Sequence, residues 1–301
     1  MELKCLRCGA IGLHNGGSSW GCGSCGARFP VVAQVPRFVA EEFYAESFGF
    51  QWNRFARTQL DSASGTTRSR ETFEQKTGWS LGDLRGKRVL DAGCGMGRFA
   101  EVGANAGAEV HAVDLSTAVE AAFQNLGHRP NVRLYQADIM NLPFPEESFD
   151  FIYSIGVLHH TPNTKAAFLR LPPLLKPGGA VAIWVYSKTL RSLWGSEILR
   201  KLTPSLSKSW LLQASRIAIP LYHIHRVAFV GTVTSHVLPT SMHPEPEWRW
   251  LDTFDWYSPK YQWKHTYEEV EGWFMEGGLT EIRRGGFPVS VRGFRPPSSA
   301  V

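Results

Sequence analysis

Four cysteines are spaced so that they can do chemistry together. Cys5 and Cys8 form one Cys-x2-Cys pair, thirteen residues follow, and Cys22 and Cys25 form a second. Two such knuckles can present four thiolates tetrahedrally to one zinc ion, and the glycines after Cys8 and Cys25 help each chain segment turn. Four thiolates leave no open coordination position, so the predicted zinc is structural. A module of about 35 residues buries too little core to fold alone, and the metal would supply the missing stability. Two disulfides are the competing reading, but nothing here suggests secretion. The fifth cysteine, Cys94, reads as a small packing residue.

A second constellation is Val89-Leu90-Asp91-Ala92-Gly93-Cys94-Gly95-Met96-Gly97. Its glycines fall where a strand gives way to a helix, so the backbone can approach a ligand closely. A lone glycine-rich turn also fits a dinucleotide fingerprint. The spacing here is Asp-x-Gly-x-Gly-x-Gly, however, and an acid inside the strand repels a pyrophosphate. A cationic sulfonium carrying an amino group suits it better.

Further residues follow in order: Asp114 at the end of a second strand, Asp138 and Ile139 after a third, Ser154 in a fourth, and Leu175-Lys176-Pro177-Gly178-Gly179 before a fifth. With these, residues 87–186 resemble the class I S-adenosylmethionine-dependent methyltransferases. The resemblance implies that Gly93 and Gly95 contact the methionine part of the cofactor. It places Asp114 on the ribose hydroxyls, and Asp138 with Ile139 at the adenine edge. Asp91 would steady the turn or the cofactor amine, or serve the loop structurally. Gly97, Leu115 and Ser154 complete the expected cofactor-binding set.

The acceptor is addressed by the end of strand four, Ser154-Ile155-Gly156-Val157-Leu158-His159-His160-Thr161-Pro162-Asn163. It lacks the Asn/Asp-Pro-Pro-aromatic motif common among enzymes that methylate base amines. It resembles the small-molecule branch, which includes quinone and sterol methyltransferases. His159 or His160 is the predicted base for a hydroxyl acceptor, the alternative being a loop-bracing histidine. Eight aromatics crowd residues 248–267: Trp248, Trp250, Phe254, Trp256, Tyr257, Tyr261, Trp263 and Tyr267. They either stack on an acceptor or fill the core of a lid. His243, Asp255 and His265 are polar candidates beside them. The stretch Phe48-Gly49-Phe50-Gln51-Trp52 is similar to methyltransferases encoded among bacterial surface-sugar and secondary-metabolite genes. There Gln51, Trp52 and Arg54 are expected to close over the cofactor.

These residues need elements to hold them. Residues 88–91, 109–114, 132–137, 149–155 and 180–186 read as strands. Helical segments at 116–126 and 165–175 lie between them. Such alternation implies parallel crossovers. The predicted fold is α/β: a Rossmann-like, doubly wound, seven-stranded sheet with an antiparallel last strand, a small N-terminal zinc ribbon and a helical insertion. The expected domains are a ribbon (1–38), a helical cap (39–86) that includes Phe43 and breaks at residues 61–65, the cofactor-binding core (87–187), a substrate lid (188–265), and a C-terminal helix with the final hairpin (266–301). The ribbon resembles the small activator proteins that partner tRNA and translation-factor methyltransferases. It also resembles the ribbon of bacterial ribosomal RNA guanine methyltransferases.

The 301 residues are 43% hydrophobic and 20% charged, which excludes a disordered or collagen-like chain. No run reaches the length of a membrane span, and residues 217–230 are interrupted by His223, His225 and Arg226. The first residues have no apolar signal region, so a cytoplasmic protein is predicted. The net charge is +5, and residues 188–230 hold seven Lys or Arg against one Glu, Arg191 and Arg200 among them. This segment is expected to meet a small, anionic acceptor, or else to be a solvated face. The rival functions are an RNA methyltransferase that grips the backbone through the ribbon and this segment, and a non-catalytic cofactor-binding interaction protein. The oligomeric state is open.

Overall fold

The computed structural model describes residues 1–39, 44–188 and 194–297; Phe43 and Arg191 lie outside the described residues. In chain order the strands are β1 (His14–Asn15), β2 (Ser19–Gly21), β3 (Arg28–Val32), β4 (Val35–Phe38), β5 (Arg88–Ala92), β6 (Glu109–Asp114), β7 (Val132–Ala137), β8 (Phe149–Ile155), β9 (Leu175–Trp184), β10 (Thr280–Arg284) and β11 (Ser290–Phe294). They form one sheet in the order β1-β2-β3-β4-β7-β6-β5-β8-β9-β11-β10. From β7 to β10 this is the expected seven-stranded arrangement, with β5 to β9 parallel and β11 antiparallel to β9. The central strands are buried almost throughout, because helices cover both faces. Chain order reverses on either side of β5. That opens a crevice at the carboxyl ends of β5, β6 and β8, where such folds take their ligands.

The cysteine-rich module does more than pack on the next domain. It continues the sheet: β4 pairs in parallel with β7, Arg37 against Gln136 and Phe38 against Ala137. Without it β7 would be an open edge with unpaired backbone groups. Leu3, Cys5, Leu13 and Cys22 share a hydrophobic cluster with Phe38, Tyr135 and Phe144.

Three local differences from the sequence reading have plain causes. Residues 61–65 were expected as a break, yet Asp61–Ser64 forms one helical turn, stopped by Gly65 at φ +66°. The Asp61 carboxylate then accepts the amides of Ser69 and Arg70, both at 2.9 Å, at the start of the helix Arg68–Thr77. The helix expected over 165–175 is only Thr164–Phe168, and the chain passes through a 3-10 turn with prolines at 172 and 173. Strand β9 starts early and carries Pro177-Gly178-Gly179 within it, alongside a register shift against β8.

Before the C-terminal hairpin, the expected lid segment holds the helices Trp194–Leu199, Lys208–Ser215, Ala218–His225, Val230–Val237 and Pro246–Tyr257. Leu211, Leu212, Trp250, Leu251, Phe254 and Tyr257 bury together with Phe55 in a core of its own. No helix among the described residues is long and apolar enough to cross a membrane.

Candidate active site

At the end of β5 the chain turns sharply, with Gly93 at φ +98° and Gly95 at φ +54°. The amides of Gly93 and Cys94 both donate to the Val113 carbonyl at 2.8 Å, pinning the turn to β6. A Cβ on Gly93 would stand 2.3 Å from Val157, so only glycine fits. The next amide, Gly95, donates to Asp114 Oδ2 at 2.9 Å, while Asp114 Oδ1 accepts Ser116 N at 2.8 Å and Ser116 Oγ at 2.7 Å. Burial pushes the Asp114 carboxyl up, and these three donors oppose the rise.

The turn borders a cavity of about 1150 Å³. Gly93, Gly95, Asp114, Leu115, Asp138 and Ile139 line one end, and Tyr44, Phe48 and Trp52 border it from the N-terminal helical segment. Asp138 Oδ1 accepts the Met140 amide at 2.9 Å. A carboxylate offers about four acceptor sites, so both acids keep capacity for hydroxyl or amino donors. Two acids, an apolar Ile139 and a close-lying glycine backbone fit the donor-rich ribose and flat adenine of S-adenosylmethionine. Three residues of the expected set stand off the cavity wall. Asp91 is 2% exposed beneath the turn. Burial, with Asp114 second, holds its carboxyl well above the usual range. Gly97 begins the helix Arg98–Asn105, and Ser154 Oγ donates to the Ala92 carbonyl at 2.7 Å.

The other end of the cavity is built by the lid. On the helix Pro246–Tyr257, Asp252 and Asp255 lie three residues apart, which puts them on one face, and both line the cavity. Gln51 Nε2 donates to Asp255 Oδ1 at 3.2 Å, and the Tyr186 hydroxyl donates to Oδ2 at 3.4 Å. Burial pushes Asp255 up to about 6, against those two donors and Arg200. Burial, with neighbouring Asp255 second, pushes Asp252 up to about 7. The sequence reading named Asp255 only as a nearby polar group and missed Asp252; the acid-x-x-acid spacing inside an aromatic helix was the available signal. It also missed Lys76 and Arg98, which carry no motif. Both line the cavity. Lys76 is 9% exposed and its ammonium lies 3.3 Å above the Trp184 ring. Burial, with Arg98 second, holds it well below the usual lysine range. Arg98 donates to Ser69 Oγ at 2.9 Å and Gln59 Oε1 at 3.2 Å.

The two histidines part company. His160 lines the cavity; its Nδ1 donates to the Tyr261 carbonyl at 2.8 Å, which leaves Nε2 as the acceptor nitrogen. Burial lowers His160 to about 4, so the ring is neutral at pH 7. His159 lies behind it, off the cavity wall, stacked on Tyr186 with ring centroids 3.9 Å apart. Both its ring nitrogens are buried without a partner among the described residues. The lid aromatics also divide: Trp248, Trp256 and Trp263 line the cavity, while Trp250, Phe254 and Tyr257 fill the lid core. Gln51 and Trp52 reach the cavity, whereas Arg54 is exposed. His243 stacks on Trp248, and His265 bonds Thr164 Oγ1 at 3.0 Å. In the basic segment, Arg200 lines the cavity but is held by the carbonyls of Trp256 at 2.7 Å and Pro259 at 2.9 Å.

All five cysteines are free, four of them in the module at the far edge of the sheet. The sulfurs of Cys5, Cys8, Cys22 and Cys25 lie within 4.8 Å of one another, with Cys5 to Cys25 at 3.7 Å and Cys8 to Cys22 at 3.6 Å. Tetrahedral zinc with bonds of about 2.3 Å sets sulfur–sulfur edges of about 3.8 Å, so the cluster fits that ion.

A parallel sheet with a glycine turn and two acids at its switch point defines a domain for a nucleoside-bearing cofactor. Residues 90–183 match the family described as a methyltransferase domain. Residues 90–183 thus resemble a methyltransferase domain, and a cysteine cluster that resembles a zinc ribbon precedes them. The chain is 34% identical to the ubiquinone biosynthesis O-methyltransferase of Alkalilimnicola ehrlichii, over 43% of this chain and 56% of that one. It is 36% identical to phosphoethanolamine N-methyltransferase 2 of Caenorhabditis elegans, over 36% of this chain and 26% of that one. It therefore spans about half or less of these curated relatives. Among solved structures, the complex of the Trm112 methyltransferase activator of Haloferax volcanii aligns at a TM-score of 0.48 and 14% identity, covering 83% of this chain and 98% of that one.

Proposed function

We propose that the protein is an S-adenosylmethionine-dependent methyltransferase that methylates a hydroxyl of a small, anionic molecule. One observation carries this reading: a single cavity runs from the glycine turn, Asp114 and Asp138 to the paired carboxylates Asp252 and Asp255. When bound, the cofactor supplies an electrophilic methyl group. Asp114 and Leu115 hold its ribose, Asp138 and Ile139 the adenine edge, and Gly93 and Gly95 the methionine end. Gly97, Asp91 and Ser154 act from behind the wall by shaping the turn. Tyr44 and Trp52 keep water out.

At the other end, the hydroxyl must lose a proton as its oxygen attacks. The Asp252–Asp255 pair takes it, because burial has raised both carboxyls toward neutrality, where a base works best at pH 7. Gln51 and Tyr186 fix the geometry of Asp255. His160, lowered to about 4, is too weak a base and instead offers Nε2 as a hydrogen-bond acceptor to the incoming hydroxyl. His159 braces Tyr186. Lys76 and Arg98 supply positive charge for an anionic group on the acceptor. Residues 154–163 lack the motif common among enzymes that methylate base amines, which tells against a nucleobase amine, and likeness to an O-methyltransferase supports oxygen as the attacking atom. We also assign one structural zinc ion to Cys5, Cys8, Cys22 and Cys25.

The test is turnover of labelled S-adenosylmethionine over a panel of hydroxylated acids, amines and RNA. Methyl transfer to hydroxylated acids is expected. Transfer to RNA alone would establish the RNA rival, and cofactor binding without turnover on any acceptor would leave an interaction protein.

A further inference from the structure

Residues 198–244 contain five Lys or Arg, four His and not one Asp or Glu. Within them the helices Ala218–His225 and Val230–Val237 pack on each other as a hairpin. Each buries one residue, Ala218 and Gly231. The hairpin is apolar nonetheless. At its turn Val227 is 53% exposed and Phe229 82%, and Ile224, Val230 and Val233 are exposed beside them. Its root is firmly held: Arg249 donates to the Ile219 carbonyl at 3.0 Å and lies 3.8 Å over the Tyr222 ring. Its tip is tight, since a Cβ on Gly231 would stand 2.1 Å from the His225 carbonyl oxygen. The hairpin is therefore anchored at one end and presents apolar side chains to water at the other, within a stretch that carries cations and no acid.

Three partners could cover such a surface. RNA would meet the cations, but its phosphates gain nothing from valine and phenylalanine at the tip. A second copy would bring another acid-free surface against this one, with like charges facing. An anionic bilayer satisfies both features, because apolar side chains enter the boundary between headgroups and acyl chains while Arg or Lys pair with the headgroups. We propose that this hairpin docks the protein on an anionic membrane surface, with Val227, Phe229 and Val230 inserted and Lys201, Arg216 and Arg226 on the lipid phosphates. Pro239, just past the second helix, lines the cavity, so the hairpin root adjoins the candidate active site. The docking stands whether or not the acceptor assignment holds.

Flotation of the full chain tests this, using phosphatidylcholine vesicles with and without phosphatidylglycerol. Binding should be at least about tenfold stronger to the anionic vesicles and should weaken with salt. The double variant Val227→Asp, Phe229→Asp should bind about tenfold more weakly or worse, with cofactor affinity and circular dichroism unchanged. Lys201→Gln with Arg226→Gln should lose the preference for anionic vesicles and keep the fold. Equal binding to both vesicle types, or wild-type binding by the aspartate variant, would overturn the proposal. So would a dimer in ultracentrifugation that the aspartate variant dissociates while vesicles are ignored, and so would RNA binding without vesicle binding.

Discussion

Arg37, on the last strand of the cysteine-rich module, donates from Nη1 to Gln136 Oε1 at 2.9 Å, and Gln136 Nε2 donates in turn to the Leu115 carbonyl at 2.8 Å. Leu115 lines the cavity beside Asp114. Two hydrogen bonds thus connect the module to the site across the shared edge of the sheet. Arg37 is 6% exposed, and its other arm holds Glu120 at 2.8 Å.

This link makes the module part of the cofactor site's support. Arg37→Ala leaves Gln136 Oε1 without its donor in a buried place, at a cost of about 2–3 kcal/mol. Melting should fall by about 5 °C, and S-adenosylmethionine affinity should fall with it. Chelating the metal from the wild type should reproduce both effects, because the thiolate cluster holds β1 to β4 in shape. Calorimetry showing full cofactor affinity in both cases would separate the module from the site.

The paired carboxylates predict a pH profile. Only the ionised pair can accept a proton, so kcat/KM should fall as pH drops through about 7 to 6. Asp255→Asn should remove that limb and lower kcat by about 100-fold or more. Stability carries the opposite sign. Both folded-state values lie above those of a free carboxyl, so their contribution is full at low pH and is lost as pH rises through about 6 to 7. The stability advantage of Asp252→Asn over the wild type should therefore be larger at pH 8 than at pH 5. A flat rate profile, with equal melting curves at both pH values, would refute the pair's role.

Asp114 serves two purposes, and its variants should show both. It holds the Gly95 amide and also lines the cavity, where the proposed function sets it on the cofactor ribose. Asp114→Ala should weaken cofactor binding by more than the about 1.5–3 kcal/mol of one charge-assisted hydrogen bond, because the turn loosens too. Ser116→Ala, which removes one donor to Asp114, should cost far less. Equal losses in the two variants, measured by titration calorimetry, would mean that Asp114 acts only through the loop.

How much of this was legible in the sequence depends on whether a residue's role is local. The glycine turn and the two Cys-x2-Cys pairs were legible from their spacing, and Asp114 and Asp138 from the resemblance that their places after successive strands carry. The union of the module with β7 was not legible, because Arg37 and Gln136 are 99 residues apart and neither belongs to a motif. Lys76 and Arg98 were missed for the same reason, since they meet only when the N-terminal helices and the glycine turn converge, whereas Asp252 had a local signal in its spacing from Asp255. The histidine pair was legible as a pair but not as two roles. Adjacent residues on a 3-10 turn point in different directions, and only the fold shows that His160 reaches the cavity while His159 lies under Tyr186.

Lys76 offers the sharpest test of the acceptor's charge. It is an almost fully buried ammonium, set on the face of Trp184 and forming no ion pair with any described residue. Burying a charge without an ion-paired partner costs stability, and burial and then Arg98 push against its protonation, with Asp252 opposing them only in part. The free protein gains nothing obvious from that arrangement, so the gain belongs to the complex: an anionic acceptor would bring the missing counter-charge. Lys76→Met keeps the length and apolar contact of the side chain and deletes the charge. It should raise the melting temperature of the free protein, leave S-adenosylmethionine affinity unchanged, and raise the acceptor KM by about tenfold or more, with kcat less affected. Arg98→Gln should act in the same direction on KM but lower stability, because Arg98 bonds Ser69 and Gln59. A Lys76→Met protein that melts lower and handles acceptor normally would show that the lysine is there for Trp184 alone.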